Sequence, residues 1–150
     1  MFTTFMKNGG YRVDYLFRAT DCVQHALALY VCGKMKPGDV ICRQAKQRLL
    51  YGLALITTHL HAEPLKAVYV DVCGPVSTQR PAYDQLLADI RSGLIRRVVV
   101  VDWKDLVNNA KNLSEVQSLE KEYEDFELVV CEGKHANLNQ VKRSIAWMAA

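Results

Sequence analysis

At 150 residues, half of them hydrophobic and 23% charged, the chain has the balance of one ordinary globular domain, which excludes the charge-rich, apolar-poor signature of disorder. Its net charge of +3 permits contact with nucleic acid but falls short of a dedicated basic binding surface. Met1 to Gly10 lacks the apolar stretch of a signal peptide, and no run approaches the length of a membrane span, so a cytoplasmic chain without membrane contact is expected.

Residues 1–25 read as an N-terminal extension, in which Tyr11 to Phe17 alternates enough to form an extra edge strand or a segment packed across the domain. Ala26 to Val31 is the first of four short runs rich in Val, Leu and Tyr; the others are Ala67 to Asp71, Val98 to Val101 and Phe126 to Cys131. Their continuous apolar character suits strands covered on both faces. Asp39, after Pro37 and Gly38, is the expected cap of a long amphipathic helix with Ile41, Ala45, Leu49, Leu53, Ile56 and Leu60 on one face. Pro81 opens a second helix striped by Tyr83, Leu86, Leu87 and Ile90 and stopped at Gly93. Leu113, Val116, Leu119 and Tyr123 mark a third helix, and Val141, Ile145 and Met148 mark a fourth within a C-terminal segment, residues 134–150. The alternation predicts a three-layer α/β domain over residues 26–133: a largely parallel sheet of four or five strands with helices on both faces.

The five cysteines are odd in number, widely spaced and outside any Cys-x-x-Cys pair, so they read as reduced core residues rather than a disulfide framework or zinc site. His59 and His61 lack neighbouring Cys or carboxylates and read as solvated loop histidines. No cofactor is expected. Asp71 and Asp102 each end a predicted strand and Asp105 follows closely, so a Mg²⁺ site for phosphoryl-transfer or nuclease-like chemistry is one alternative, set against the commoner role of such residues as caps.

The stretch from Val68 to Asn109 resembles the central part of a serine recombinase (resolvase/invertase) catalytic domain. It has a strand ending in Asp71, a turn-rich loop, Arg80-Pro81 opening a helix, Leu86-Leu87-x-Asp89-Ile90, Gly93 and a Val-rich strand, in that order. Leu29-Tyr30-Val31 is similar to the first strand of that family, Asp39 to Leu60 to its first helix, with Gln44 or Gln47 near a typical glutamine, and Leu113 to Glu132 to the next helix and strand. The resemblance spans about residues 26 to 133 and implies a resolvase-like fold and a setting in DNA recombination.

Recombinases of that family cut DNA with a serine hydroxyl, and the negative charge of a phosphoryl group in transfer calls for preorganised arginines beside it. The pattern Tyr-x-Arg-Val-Ser aligns with Tyr30-Val31-Cys32-Gly33-Lys34, so Cys32 stands for an arginine and Lys34 for the nucleophile. The pattern Asp-Arg-Leu-Ser-Arg aligns with Lys104-Asp105-Leu106-Val107-Asn108, so Asp105 and Asn108 replace two more arginines and Lys104 the aspartate. Arg80 alone is retained. The resemblance therefore implies a degenerate member without strand-cleavage activity; Ser77, before Arg80, reads as a turn residue rather than a relocated nucleophile.

Such a domain would act by association. The candidates are a recombinase or other protein partner, a homodimer through the C-terminal helix with Trp147, and weak sequence-independent DNA binding through Arg80, Arg91, Arg96 and Arg97 beside Lys104. The roughly 17 residues after Gly133 leave no room in this sequence for a helix-turn-helix module. An assembly module with no DNA role is the remaining alternative.

Overall fold

The computed structural model describes residues 10–18, 26–59, 64–74 and 79–130. Five strands form one sheet: β1 (Tyr11–Tyr15), β2 (Ala26–Lys34), β3 (Leu65–Cys73), β4 (Ile95–Val100) and β5 (Glu127–Val130). Their spatial order is β1-β3-β2-β4-β5. All neighbouring pairs are parallel except β1, which runs antiparallel along β3 from Tyr11 opposite Asp71 to Tyr15 opposite Ala67. The alternating segment near the N-terminus is thus an edge strand of the sheet.

Among the described residues four helices link the strands: α1 (Arg43–His59), α2 (Pro81–Arg91), α3 (Trp103–Leu106) and α4 (Ala110–Glu122). Successive side chains of a strand point to opposite faces, and the central strand divides its residues accordingly. Leu27, Leu29 and Val31 pack with Val68, Val70 and Val72 of β3 under Ala45, Leu49 and Ile56 of α1. Ala26, Ala28, Tyr30 and Cys32 face the other way with Ala67, Tyr69 and Cys73, under Tyr83, Leu86 and Ile90 of α2 and Leu113, Val116 and Leu119 of α4. This is the expected three-layer α/β arrangement, with a mostly parallel five-stranded sheet.

Two local departures have physical causes. Asp39 does not cap α1: its carboxylate accepts from the Lys36 amide at 3.3 Å, closing a turn in which Gly38 takes φ +87°, and the helix starts at Arg43. The short α3, unforeseen in the sequence, forms because the Asp102 side chain accepts from the Lys104 amide at 3.0 Å and the Asp105 side chain reaches back to the Asp102 amide. Gly33 lets α1 come close to β2, since a Cβ there would lie 2.5 Å from the Ala45 backbone nitrogen. Gln44 then accepts from the Lys34 amide at 2.7 Å.

Among the described residues no helix is long and apolar enough to cross a membrane. Leu60, His61, Ser77 and the C-terminal helix expected within residues 134–150 lie outside the described residues.

Candidate functional site at the carboxyl ends of the strands

After β2 the chain moves outward through α1 to β3, then returns through α2 on the opposite face to β4 on the other flank of β2. This reversal opens a crevice at the strand ends, where α/β sheets characteristically bind ligands. Two clefts occupy it. One, of about 930 Å³, is bordered by Lys34, Cys73, Arg80, Tyr83, Asn108 and Glu115 among others. The second, of about 300 Å³, is bordered by Cys32, Lys34, Arg48, Lys104, Asp105 and Asn108 among others. The positions aligned with the recombinase pattern (Cys32, Lys34, Arg80, Lys104, Asp105 and Asn108) therefore do converge, although they come from three separate stretches of sequence.

What they do there differs from a phosphate site. Arg80, expected to face a phosphate, is buried and turned inward. Its Nη1 donates to the Asp105 carbonyl at 2.8 Å and to the Tyr30 hydroxyl at 3.3 Å, and its Nη2 donates to the Leu106 carbonyl at 3.0 Å and to Asn112 Oδ1. The guanidinium also lies 4.1 Å from the centre of the Tyr83 ring. Four of the five N–H donors of an arginine are thereby engaged within the domain.

Asp71 is fully buried at the start of α2. Its Oδ1 accepts from the Ala82 amide at 2.9 Å, and its Oδ2 accepts from the Tyr83 amide at 2.8 Å and from the Tyr30 hydroxyl at 2.8 Å. Burial pushes its carboxyl pKa up, and these bonds oppose the shift. Asp105 pairs with Arg48 from α1, a residue for which the sequence offers no special signal. Asp71, Asp102 and Asp105 thus serve as caps and ion-pair partners. Among the described residues no group of three or more His, Cys, Asp or Glu is placed to hold a metal.

The basic patch expected from Arg91, Arg96, Arg97 and Lys104 is also dispersed. Lys104 follows the carboxyl end of β4, whereas Arg96 and Arg97 lie near its beginning. Leu27 pairs with Arg97 and Ala26 with Ile95, leaving Arg96 as the extra residue of a bulge. Arg96 is buried over the Tyr123 ring at 3.8 Å, pairs with Asp125 at 3.2 Å and donates to the Ile90 carbonyl. Arg97 pairs with Glu127 at 3.2 Å, and Arg91 is exposed at the end of α2. The exposed cations around the strand-end crevice are instead Lys34, Lys104 and Lys111.

Two thiols meet in the crevice floor. Cys32 and Cys73 lie on neighbouring strands with their sulfurs 3.7 Å apart, in hydrogen-bond contact. That contact holds the Cys32 thiol down at about 7 despite burial, while the same contact and burial push Cys73 up. In the sequence both read as reduced core residues, Cys32 also standing at a position aligned with an arginine, and each sits near the end of an expected strand. Asn112 and Glu115 were also unmarked. Asn112 Nδ2 and the Tyr83 hydroxyl both donate to Glu115 Oε1 at 3.2 Å, extending the Arg80 network towards the cleft.

No protein-family model matches the sequence, and no curated protein sequence matches it either. Solved structures do. The N-terminal catalytic domain of TP901-1 integrase is similar with a TM-score of 0.58 at 13% identity, over 83% of this chain and 89% of that one. The C-terminal catalytic domain of ISC1926 TnpA, an IS607-like serine recombinase, is similar with a TM-score of 0.51 at 12% identity, over 82% of this chain and 80% of that one. At these identities the likeness is one of fold, and the fold is that of serine recombinase catalytic domains.

Proposed function

We propose that this chain, built on the serine recombinase catalytic-domain fold, is a non-cleaving domain that works by association with DNA or with a protein partner in a recombination setting. The observation that carries this reading is the fate of Arg80. The one arginine retained from the recombinase pattern is bonded to two backbone carbonyls, Tyr30 and Asn112, and so is withdrawn from a phosphate. Its neighbours in the crevice support the same conclusion. Lys34 stands where the serine is expected, and among the described residues bordering the two clefts there is no serine or threonine. Loss of a single transition-state donor costs roughly 10² to 10³ in rate, so loss of several together with the nucleophile removes the reaction.

The DNA arm of the proposal rests on Lys34, Lys104 and Lys111, whose ammonium groups can meet phosphates without ordering a base contact. Supercoiled plasmid incubated with the protein and then denatured should carry no covalently attached protein; a covalent adduct would overturn the non-cleaving assignment. Anisotropy of a labelled random-sequence duplex should rise on titration at low salt and fall away steeply near physiological salt. Absence of binding at low salt would exclude the DNA arm and leave protein association.

A further inference from the structure

We propose that Cys32 and Cys73 form a peroxide-responsive dithiol, in which Cys32 is oxidised first and Cys73 resolves it to an intramolecular disulfide. The geometry comes from the sheet. In the parallel pairing of β2 and β3, Cys32 lies opposite Asp71 and Lys34 opposite Cys73, so the two cysteines are diagonal neighbours on one face. Their sulfurs stand 3.7 Å apart. A disulfide needs about 2.05 Å, so closure asks for an approach of roughly 1.7 Å. Cys73 is the last residue of β3 and Cys32 lies two residues before the end of β2.

Access is provided from two sides. Cys32 borders the 300 Å³ cleft beside Lys34 and Lys104, and Cys73 borders the 930 Å³ cleft. An oxidant as small as hydrogen peroxide would reach the thiols through either cleft. Cys42 supplies an internal contrast. It is wholly buried in the opposite, aliphatic face, accepts from the Ala45 amide at 3.4 Å, and has its thiol pushed up by burial. The polar face does the reverse for Cys32, whose thiol is stabilised as thiolate by the Cys73 contact and by the nearby Arg80 charge.

The chemistry balances with hydrogen peroxide as oxidant. The Cys32 thiolate attacks one peroxide oxygen, the O–O bond breaks, and the departing hydroxide takes a proton to leave as water, giving a sulfenic acid. Cys73 sulfur then attacks Cys32 sulfur, the S–O bond breaks, and the hydroxyl leaves with the Cys73 proton as a second water. Two thiols are oxidised to a disulfide and one peroxide is reduced to two waters. The product ties β2 to β3 directly beneath Lys34.

The test uses the full chain with Cys22→Ser, because Cys22 and Cys32 share the tryptic peptide from Ala19 to Lys34. Reduced protein is treated with hydrogen peroxide, blocked with N-ethylmaleimide under denaturing conditions, digested and mapped by mass spectrometry. The expected product is a cross-link between the Cys32 and Cys73 peptides, with Cys42 still alkylated. In the added Cys73→Ser variant, dimedone should trap a sulfenic acid on Cys32. If Cys32 and Cys73 are oxidised no faster than Cys42, or if Cys32 joins another cysteine instead of Cys73, the proposal is overturned. The first reading alters neither Cys32 nor Cys73, and a circular dichroism spectrum and urea melt of the Cys22→Ser chain that match the unaltered protein show that it is made on folded material.

Discussion

The two faces of the sheet solve the problem of burial in different ways. Under α1 the interior is aliphatic, built from Leu27, Leu29, Val31, Val68, Val70, Val72 and Leu49, with Cys42 as its lone thiol among the described residues. Under α2 and α4 the same strands present Tyr30, Asp71, Cys32 and Cys73 to Arg80, Tyr83 and Asn112, so that face holds a chain of hydrogen-bonded polar groups between apolar residues. A buried apolar layer tolerates exchanges that conserve its volume, whereas a polar network in a low-dielectric interior loses heavily when one member is removed. The comparison teaches that the chemistry of this molecule lies on one side of β2, and that residues of identical type differ in behaviour according to the side they occupy.

The sharpest way to break this contrast is Asp71→Ala. It removes the partner of two α2 amides and of the Tyr30 hydroxyl, all buried, and should lower unfolding free energy by about 3–5 kcal/mol in urea melts. If the loss is below ~1 kcal/mol, the polar face is not the cooperative unit described. On the aliphatic side the corresponding stress is steric. Gly33→Val places a side chain where Ala45 already stands, and about 2–3 kcal/mol should be lost as α1 is forced outward.

The thiols compare the faces by reactivity. Because the Cys32 pKa is lowered to about 7, its thiolate is scarce below that pH and accumulates as pH rises through it, so alkylation of native protein by a small reagent should climb between roughly pH 6 and 8. The groups around it are Cys73, Arg80, Asp71 and Tyr30. Cys42, pushed the other way by burial, should lag by at least ~10-fold at pH 7.5. Equal rates at the two sites would remove the distinction. The smallest expected effect is at the other end of β4, where Arg97→Ala breaks a partly exposed pair with Glu127 and should change stability by less than ~1 kcal/mol. The same variant should leave the salt dependence of any DNA binding unchanged, since Arg97 lies away from the lysines of the crevice.

The order of strands and helices was readable because it depends on local periodicity. Continuous apolar runs marked β2 to β5, Pro81 and Gly93 bounded α2 closely, and the alternation dictated parallel pairing. What escaped was decided by partners distant in sequence. Nothing near Arg80 announces that the carbonyls of Asp105 and Leu106 will lie within its reach. Arg96 looked like a surface cation until a single bulged residue turned it over Tyr123. Cys32 and Cys73 became a pair only through the register between β2 and β3. The residues aligned by the resemblance lie around one crevice, yet which of them are spent internally follows from geometry alone.

Arg80 has one more consequence, for how the molecule opens. A helix of four residues cannot persist alone, because nucleation costs more than its few hydrogen bonds return. Yet α3 has its carbonyls at Asp105 and Leu106 riveted to the guanidinium that precedes α2, while Asp105 is held from the other side by Arg48 of α1. The segment after β4 is therefore joined to both helical layers. Its amides should exchange with solvent in step with those of α2, as one unfolding unit, rather than with the faster rhythm of a surface loop.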